Sequence, residues 1–234
     1  MTDAVATPGR ARGALELVLY VLAFVIAGLV TLALLWSGPA PYTGLARDNG
    51  VTRYVFLVKG PGGGMLDTDL QGAAARHAEW SRYVTGGTSD PPEFDPPLFT
   101  EDEYAHMADV RRVFEVAKLF VPLSLVVIIV RLRRARERGS RPMWRLVRDG
   151  ALVSAAVVAI IGAVAVVAFE PLFLAFHYVF FPQGNFLFDP ATSNLLRLYP
   201  DWYWEGISLR VGLSFIAVAL FVAGAAMLRL RTAK

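Results

Sequence analysis

The sequence contains no cysteine among its 234 residues and only three histidines. The missing cysteine excludes disulfides, thiolate metal sites and cysteine nucleophiles. No Gly-x-Ser-x-Gly segment is present, so the nucleophile turn of the α/β-hydrolases is missing as well. The histidines are too far apart in sequence to form the close pair that anchors many metal sites. Acid–base chemistry that uses imidazole therefore has few candidate residues.

Acidic residues are nearly missing from residues 131–148, where eight arginines stand against Glu137 and the boundary residue Asp149. Over the whole chain 55% of the residues are hydrophobic, whereas soluble domains average about 45–50%. This composition predicts an integral membrane protein. Because the positive charge lies in short segments beside apolar runs, it indicates cytoplasmic loops and not nucleic-acid binding.

Four apolar runs are long enough to cross a hydrocarbon core of about 30 Å as helices. They predict an α-helical integral membrane protein, one membrane domain over residues 1–234, with transmembrane helices at about 15–36, 114–132, 151–169 and 207–228. The arginines place residues 133–150 and both termini in the cytoplasm, and residues 37–113 and 170–206 outside the cell membrane. Residues 1–13 are interpreted as a disordered lead-in, and a cleaved signal peptide is the alternative for the first run.

The first outer region contains one segment typical of a strand, the β-branched and aromatic residues 51–58. The glycine-rich run that follows, residues 60–64, lacks the Gly-Lys-Ser/Thr ending of a phosphate loop and is interpreted as a turn. His77 lies in a short helical piece and is interpreted as a solvated surface residue.

Residues 100–103 match a capping box, with Thr100 as the N-cap and Glu103 as its partner. No helix breaker follows before the second apolar run, so one helix should lead from this cap into the membrane. His106 then lies on the part of the helix outside the membrane, with Asp102 and Asp109 on its own face.

His177 stands in a run of five phenylalanines between residues 176 and 188. Helical spacing places Phe173, Phe176 and Phe180 beside it on a short helix, residues 171–181. Because an ionisable group near lipid is costly, this pattern indicates a proton-transfer residue at the outer surface. Asn185 either donates a hydrogen bond to a reacting oxyanion or caps the turn of the segment that follows, and the turn role is favoured.

The aromatic residues of 199–204 are typical of the belt at a membrane interface. Arg210, near the start of the fourth apolar run, is expected to reach the interface or to pair with a carboxylate such as Glu205.

The four-span plan is combined with three segments in order: Glu103-x-x-His106-Met107-x-Asp109-Val110, Phe176-His177-x-x-Phe180-Phe181 to Phe188-Asp189-Pro190, and Leu195-x-x-Leu198-Tyr199-Pro200. Together they give the chain a resemblance to the bacterial lipoprotein intramolecular transacylases. It implies an enzyme that moves an acyl chain from the sn-2 glyceryl oxygen to the α-amine of the N-terminal cysteine of a diacylated lipoprotein, giving the lyso-form. Membrane lipid and the diacylated lipoprotein are the implied partners.

The family's two extracytoplasmic catalytic histidines carry over onto His106 and His177. We expect His177 to be the general base, His106 to be the partner acid or oxyanion stabiliser, and Asp109 to be an orienting carboxylate. No cofactor and no metal ion is expected.

Two other classes remain open from the sequence. A metal-dependent hydrolase would use His106, His177, Asp109 and Asp189 as ligands. A non-catalytic membrane assembly or partner protein would use the aromatic segment only as an interfacial anchor. The sequence gives no indication of the oligomeric state.

Overall fold

A computed structural model describes residues 8–233, and helices dominate it. The elements in order are α1 (Pro8–Trp36), α2 (Pro39–Asp48), β1 (Arg53–Leu57), β2 (Met65–Asp69), α3 (Leu70–Val84), α4 (Glu101–Glu137), α5 (Ser140–Val167), α6 (Phe169–Phe180), α7 (Asn194–Leu198) and α8 (Asp201–Thr232). Residues 1–7 of the expected lead-in lie outside the described residues, and α1 already begins at Pro8.

Four helices, α1, α4, α5 and α8, are long and apolar enough to cross a membrane. They contain 28 to 37 residues, or about 42–56 Å at a rise of 1.5 Å per residue. The four-span prediction is confirmed. The expected cytoplasmic loop of residues 133–150 is mostly helical, because α4 continues to Glu137 and α5 begins at Ser140.

The chain forms two compact units, and each is described by itself. The first comprises the chain up to Leu32, Lys118–Ala163 and the chain from Gly212 onward. Its helices pack through small residues: a methyl group on Gly28 would lie 2.5 Å from the Phe215 ring, and one on Gly150 would lie 2.2 Å from Tyr20. Small residues at such contacts let helix backbones approach closely, as in other membrane helix bundles.

The outer faces of this first unit are apolar and exposed, as lipid contact requires. The large side chains with more than half of their surface open include Leu15, Leu119, Leu123, Ile160 and Phe221.

The second unit comprises Ala33–Ala117 and Val164–Val211. Its core is rich in aromatic residues, and Tyr42, Phe56, Trp80 and Leu198 are almost completely buried there. It contains α2, α3, α6, α7 and an antiparallel hairpin in which Arg53 pairs with Asp69 and Leu57 with Met65.

The hairpin confirms the strand expected at residues 51–58 and adds β2, which the sequence analysis did not identify. Between the strands, the glycines at positions 60, 62, 63 and 64 all have positive φ, so the run is a turn as expected. Strand β2 was missed because Asp67 and Asp69 interrupt its pattern with residues that strands disfavour.

His77 is not a solvated residue, and that expectation was wrong. Only 2% of its surface is exposed, and its ring stacks on Tyr42 with the centroids 4.4 Å apart. Its Nε2 lies 3.0 Å from the carbonyl oxygen of Ser37 and must donate, so Nδ1 accepts from the Tyr199 hydroxyl at 3.2 Å. His77 lies on the alanine-rich face of α3, and this face packs inward.

Arg210 does reach a carboxylate, but not the one expected. It donates to Asp48 at 2.6 Å and to the carbonyl oxygen of Pro41 at 3.1 Å. Glu205 is not its partner.

Candidate active site

His106 and His177, which are 71 positions apart in the sequence, lie side by side in the second unit. Their ring centroids are 6.1 Å apart and their planes differ by 20°. Both side chains are buried, with 8% and 9% of their surfaces exposed. At this spacing two imidazolium ions would repel each other, so a charge on one ring disfavours a charge on the other.

The position of His106 follows from the start of α4. The backbone N–H of Glu103 donates to Thr100 Oγ1 at 3.2 Å, and the N–H of Thr100 donates to Glu103 Oε2 at 2.8 Å. This is the reciprocal capping box expected from the sequence. It starts the helix at Glu101 and places His106 in its second turn.

Glu103 does more than cap the helix. Its second oxygen, Oε1, accepts from Ser193 Oγ at 2.6 Å and from the backbone N–H of Leu195 at 2.8 Å. The side chain is 1% exposed, and these donors satisfy the buried carboxylate without a cation. Glu103 therefore connects the beginning of α4 with the beginning of α7. Sequence reasoning found the cap but had no signal for the second set of donors.

His177 is held by its own helix. Its Nδ1 lies 2.8 Å from the carbonyl oxygen of Phe173, one turn earlier in α6. Since a carbonyl only accepts, Nδ1 carries the proton, and the neutral ring presents the lone pair of Nε2. Burial lowers the pKa of His177 below its usual 6.5, which keeps this neutral form at neutral pH.

Phenylalanines form most of the walls around the two rings. Those with ring centroids within 6 Å of His177 are Phe173, Phe176, Phe181 and Phe186, and those within 6 Å of His106 are Phe181 and Phe188. Such walls exclude water and strengthen electrostatic interactions inside. His106 Nδ1 is buried and has no hydrogen-bond partner within residues 8–233.

Asp109 contacts the segment that follows α6. Its Oδ2 accepts from Gln183 Nε2 and from Asn185 Nδ2, both at 2.7 Å, and its other oxygen accepts from Arg112 at 3.2 Å. Asn185 has a contact within its own turn, where its Oδ1 accepts from Gln183 Nε2 at 3.2 Å, and its Nδ2 also donates to this carboxylate. Through these contacts Asp109 connects α4 with the loop of residues 181–186.

The four ligands considered for a metal site do not form one group. Asp189 accepts from the backbone N–H of Ala191 at 2.9 Å within a local turn. Across residues 8–233, no three histidine, aspartate or glutamate side chains lie close enough together to hold a metal ion. The geometry therefore supports a histidine pair and gives no support to the metal-dependent hydrolase.

Comparisons with solved structures show the same fold in a known membrane enzyme. The in meso structure of the membrane integral lipoprotein intramolecular transacylase Lit from Bacillus cereus matches with a TM-score of 0.65 and 13% identity, over 95% of this chain and 97% of that one. Two histidine variants of the same protein, one with arginine and one with alanine, match with a TM-score of 0.65. Their identities are 11% and 12%, and the matches cover 95% of this chain and 93% and 95% of those chains.

Sequence comparison supplies the family. No curated protein matches the sequence significantly. The model of the family described as lipoprotein intramolecular transacylase Lit matches residues 79–204, a little over half of the chain. That range includes His106, Asp109 and His177, so the resemblance drawn from their motifs is confirmed. The chain belongs to the lipoprotein intramolecular transacylase family and is a multi-pass membrane acyltransferase.

Proposed function

We propose that this enzyme moves the acyl chain from the sn-2 glyceryl oxygen of a diacylated lipoprotein to the α-amine of its N-terminal cysteine, at the extracytoplasmic face of the membrane. The observation that carries the proposal is the pair of buried imidazole rings, His106 and His177, 6.1 Å apart. The product is a lyso-form lipoprotein. Both termini are cytoplasmic in this proposal.

His177 is the general base. The hydrogen bond from Nδ1 to Phe173 leaves Nε2 as its proton acceptor. The cysteine amine attacks the ester carbonyl carbon, the new C–N bond forms, and Nε2 takes a proton from the amine nitrogen. General base help of this kind typically contributes about 10²–10⁴-fold.

The same proton then completes the reaction. His177 returns it to the sn-2 oxygen as the C–O bond breaks, so the ring ends the cycle neutral, as it began. This balance leaves His106 free to act as a hydrogen-bond donor to the tetrahedral oxyanion. We favour that role over the acid role for His106, because a neutral imidazole is a poor proton donor and two charged rings would repel each other.

Asp109 orients the site indirectly. By accepting from Gln183 and Asn185 it fastens to α4 the segment that carries Phe181 and Phe186, which cover the two histidines. No serine or cysteine nucleophile is needed, since the attacking amine belongs to the substrate.

The proposal is tested by mass spectrometry of lipoprotein N-terminal peptides from bacteria that lack or express the chain. Expression should convert the diacylglyceryl cysteine into an N-acylated, monoacylglyceryl cysteine. His177→Ala and His106→Ala should each lower the conversion at least 100-fold. Exposed neighbours provide matched controls: Val179→Ala in α6, 72% exposed, and Asp102→Asn in α4.

Full conversion by both histidine variants would refute the proposed roles. Unchanged lipoprotein peptides in cells that contain the intact wild-type chain would refute the acyl transfer itself.

A further inference from the structure

Within residues 8–233, strand β1 has one partner strand and one edge that no strand covers. The Leu70 N–H donates to the carbonyl oxygen of Thr52, and the Val58 N–H donates to that of Gly64, both at 3.0 Å. Backbone groups alternate in direction along an antiparallel pair. The even-numbered residues of β1 therefore face β2, and Arg53, Val55 and Leu57 direct their N–H and C=O groups to the other edge.

At Leu57 a side chain fills that edge. The amide of Asn194 accepts from the Leu57 N–H at 2.9 Å and donates to the Leu57 oxygen at 2.7 Å. This is the pair of hydrogen bonds that a neighbouring strand would make. The structure thus already contains one peptide-like amide in the position of a third strand.

Before Leu57, at residues 51–55, the edge borders a groove of about 230 Å³. The residues that line it are Val51, Arg53, Tyr54 and Val55 from β1 and its start, together with Arg197, Pro200 and Trp202. On this edge the Val55 carbonyl oxygen accepts one hydrogen bond, from Arg197 Nη1 at 3.5 Å. Among the described residues, the other backbone N–H and C=O groups of Arg53 and Val55 on this edge have no hydrogen-bond partner. An extended chain laid in the groove would pair with them.

The groove also carries an uncompensated positive charge. Arg53 is paired with Asp67 across the hairpin. Arg197 instead donates to the carbonyl oxygen of Ala191 at 2.9 Å and has no carboxylate partner within residues 8–233. Its Nε has no hydrogen-bond partner there either. Charge complementarity therefore favours an acidic residue in the bound segment.

Hydrogen bonds connect the filled end of this edge, at Leu57, with the helix that carries His106. Asn194 precedes Leu195, whose N–H donates to Glu103, and Glu103 lies three residues, about 4.5 Å of rise, before His106 on α4. An extended chain advances about 3.3 Å per residue. Ten extended residues therefore span about 33 Å, so a segment of that length after a cysteine at the histidines is long enough to reach β1.

We propose that this groove binds, as an added strand beside β1, the extended acidic polypeptide segment that follows the lipidated cysteine of the substrate. The proposal deepens the function above and rests on it. It identifies Val55, Arg197 and Trp202 as specificity-determining residues for the protein part of the lipoprotein.

The test uses the full chain in nanodiscs and two synthetic diacylated lipopeptides with the same lipid, one ending two residues after the cysteine and one continuing for ten residues with aspartates. Val55→Pro removes only an N–H on the open edge, where proline is tolerated. Val55→Ala is the matched control. Loss of one hydrogen bond should raise KM for the long lipopeptide about 2- to 10-fold without changing kcat, and leave the short one unaffected.

Arg197→Gln is the second variant and does not depend on tolerance of proline. It should raise KM for the aspartate lipopeptide and not for an analogue with asparagines. Equal losses for long and short lipopeptides would overturn the proposal, as would unchanged KM values in Val55→Pro and Arg197→Gln.

Binding of fluorescent lipopeptides, followed by anisotropy, separates the groove from the chemistry. If the wild-type chain converts neither lipopeptide, the acyl transfer is refuted. Weaker binding of the long lipopeptide to both variants than to the wild type would still support the groove in that case. Normal conversion with binding independent of peptide length would refute only the groove.

Discussion

Burial lowers the pKa of both His177 and His77, but the two side chains have different roles. His177 keeps an unused Nε2 lone pair beside a second imidazole, so its neutral form is available as a base. His77 uses both ring nitrogens for hydrogen bonds within the core of the second unit. The same residue type therefore acts as a chemical group at one position and as a core residue at the other.

Acid should destabilise the second unit through His77. Burial lowers its pKa from 6.5 to about 4, so as the pH falls below 6.5 the unfolded chain takes up a proton before the folded one. The free energy of unfolding is then lost at about 1.4 kcal/mol per pH unit, or about 2 kcal/mol at pH 5. Thermal unfolding in detergent at several pH values measures the loss.

The matched variant is His77→Gln, which keeps an amide donor and acceptor but does not titrate. Its melting temperature should depend less steeply on pH between 6.5 and 4 than that of the wild type. Equal slopes for the two proteins would show that His77 is not the group responsible.

At the scale of elements, α4 is the helix to which the parts of the candidate site are attached. Glu103 in its first turn binds the start of α7, and Asp109, nearly two turns later, binds the loop after α6. His106 lies between these two carboxylates on the same helix. Its position is therefore determined from both sides by hydrogen bonds that bring distant segments onto α4.

Loss of the Asp109 carboxylate should reduce activity because the loop of residues 181–186 would no longer be held against α4. Asp109→Ala leaves the amides of Gln183 and Asn185 without their acceptor, so Phe181 and Phe186 lose their attachment over the histidines. A displacement of about 1 Å can cost up to 10²-fold, and we expect kcat/KM to fall about 10- to 100-fold. Asp109→Asn, which keeps one acceptor oxygen, should lose less.

Arg112→Ala provides the control, because it removes the other partner of Asp109 while leaving the loop contacts. The Arg112 side chain is 79% exposed, and exposed ion pairs contribute only about 0–1 kcal/mol. Its activity should stay within a few-fold of wild type. Equal losses in Arg112→Ala and Asp109→Ala would contradict an effect through the loop.

For the whole molecule, the distribution of arginine predicts the orientation in the membrane. Eight arginines lie in residues 131–148 around the α4–α5 connection, and Arg229 and Arg231 end α8. In the longer outer segments that carry the histidines, arginine is much more sparsely distributed. A reporter that is active only in the cytoplasm should work when fused at residue 138 or at the C-terminus, and one active only outside should work in the turn of residues 60–64. The reverse pattern would place the histidines in the cytoplasm and refute the proposed extracytoplasmic site.

The sequence by itself determined those features that depend on neighbouring residues. The four spans follow from hydropathy over about 20 positions, and the capping box follows from residues three apart. The family resemblance followed from short motifs that occur in a fixed order. These motifs identified His106 and His177 as candidate catalytic residues.

Only the tertiary structure decided which distant residues meet. It placed the two histidine rings side by side, gave Glu103 its second set of donors and gave Arg210 its partner Asp48. It also buried His77 and paired β2 with β1. Contacts of this kind depend on how separate segments pack around a shared core, and a local pattern of residue types contains no information about which distant segment will supply the partner.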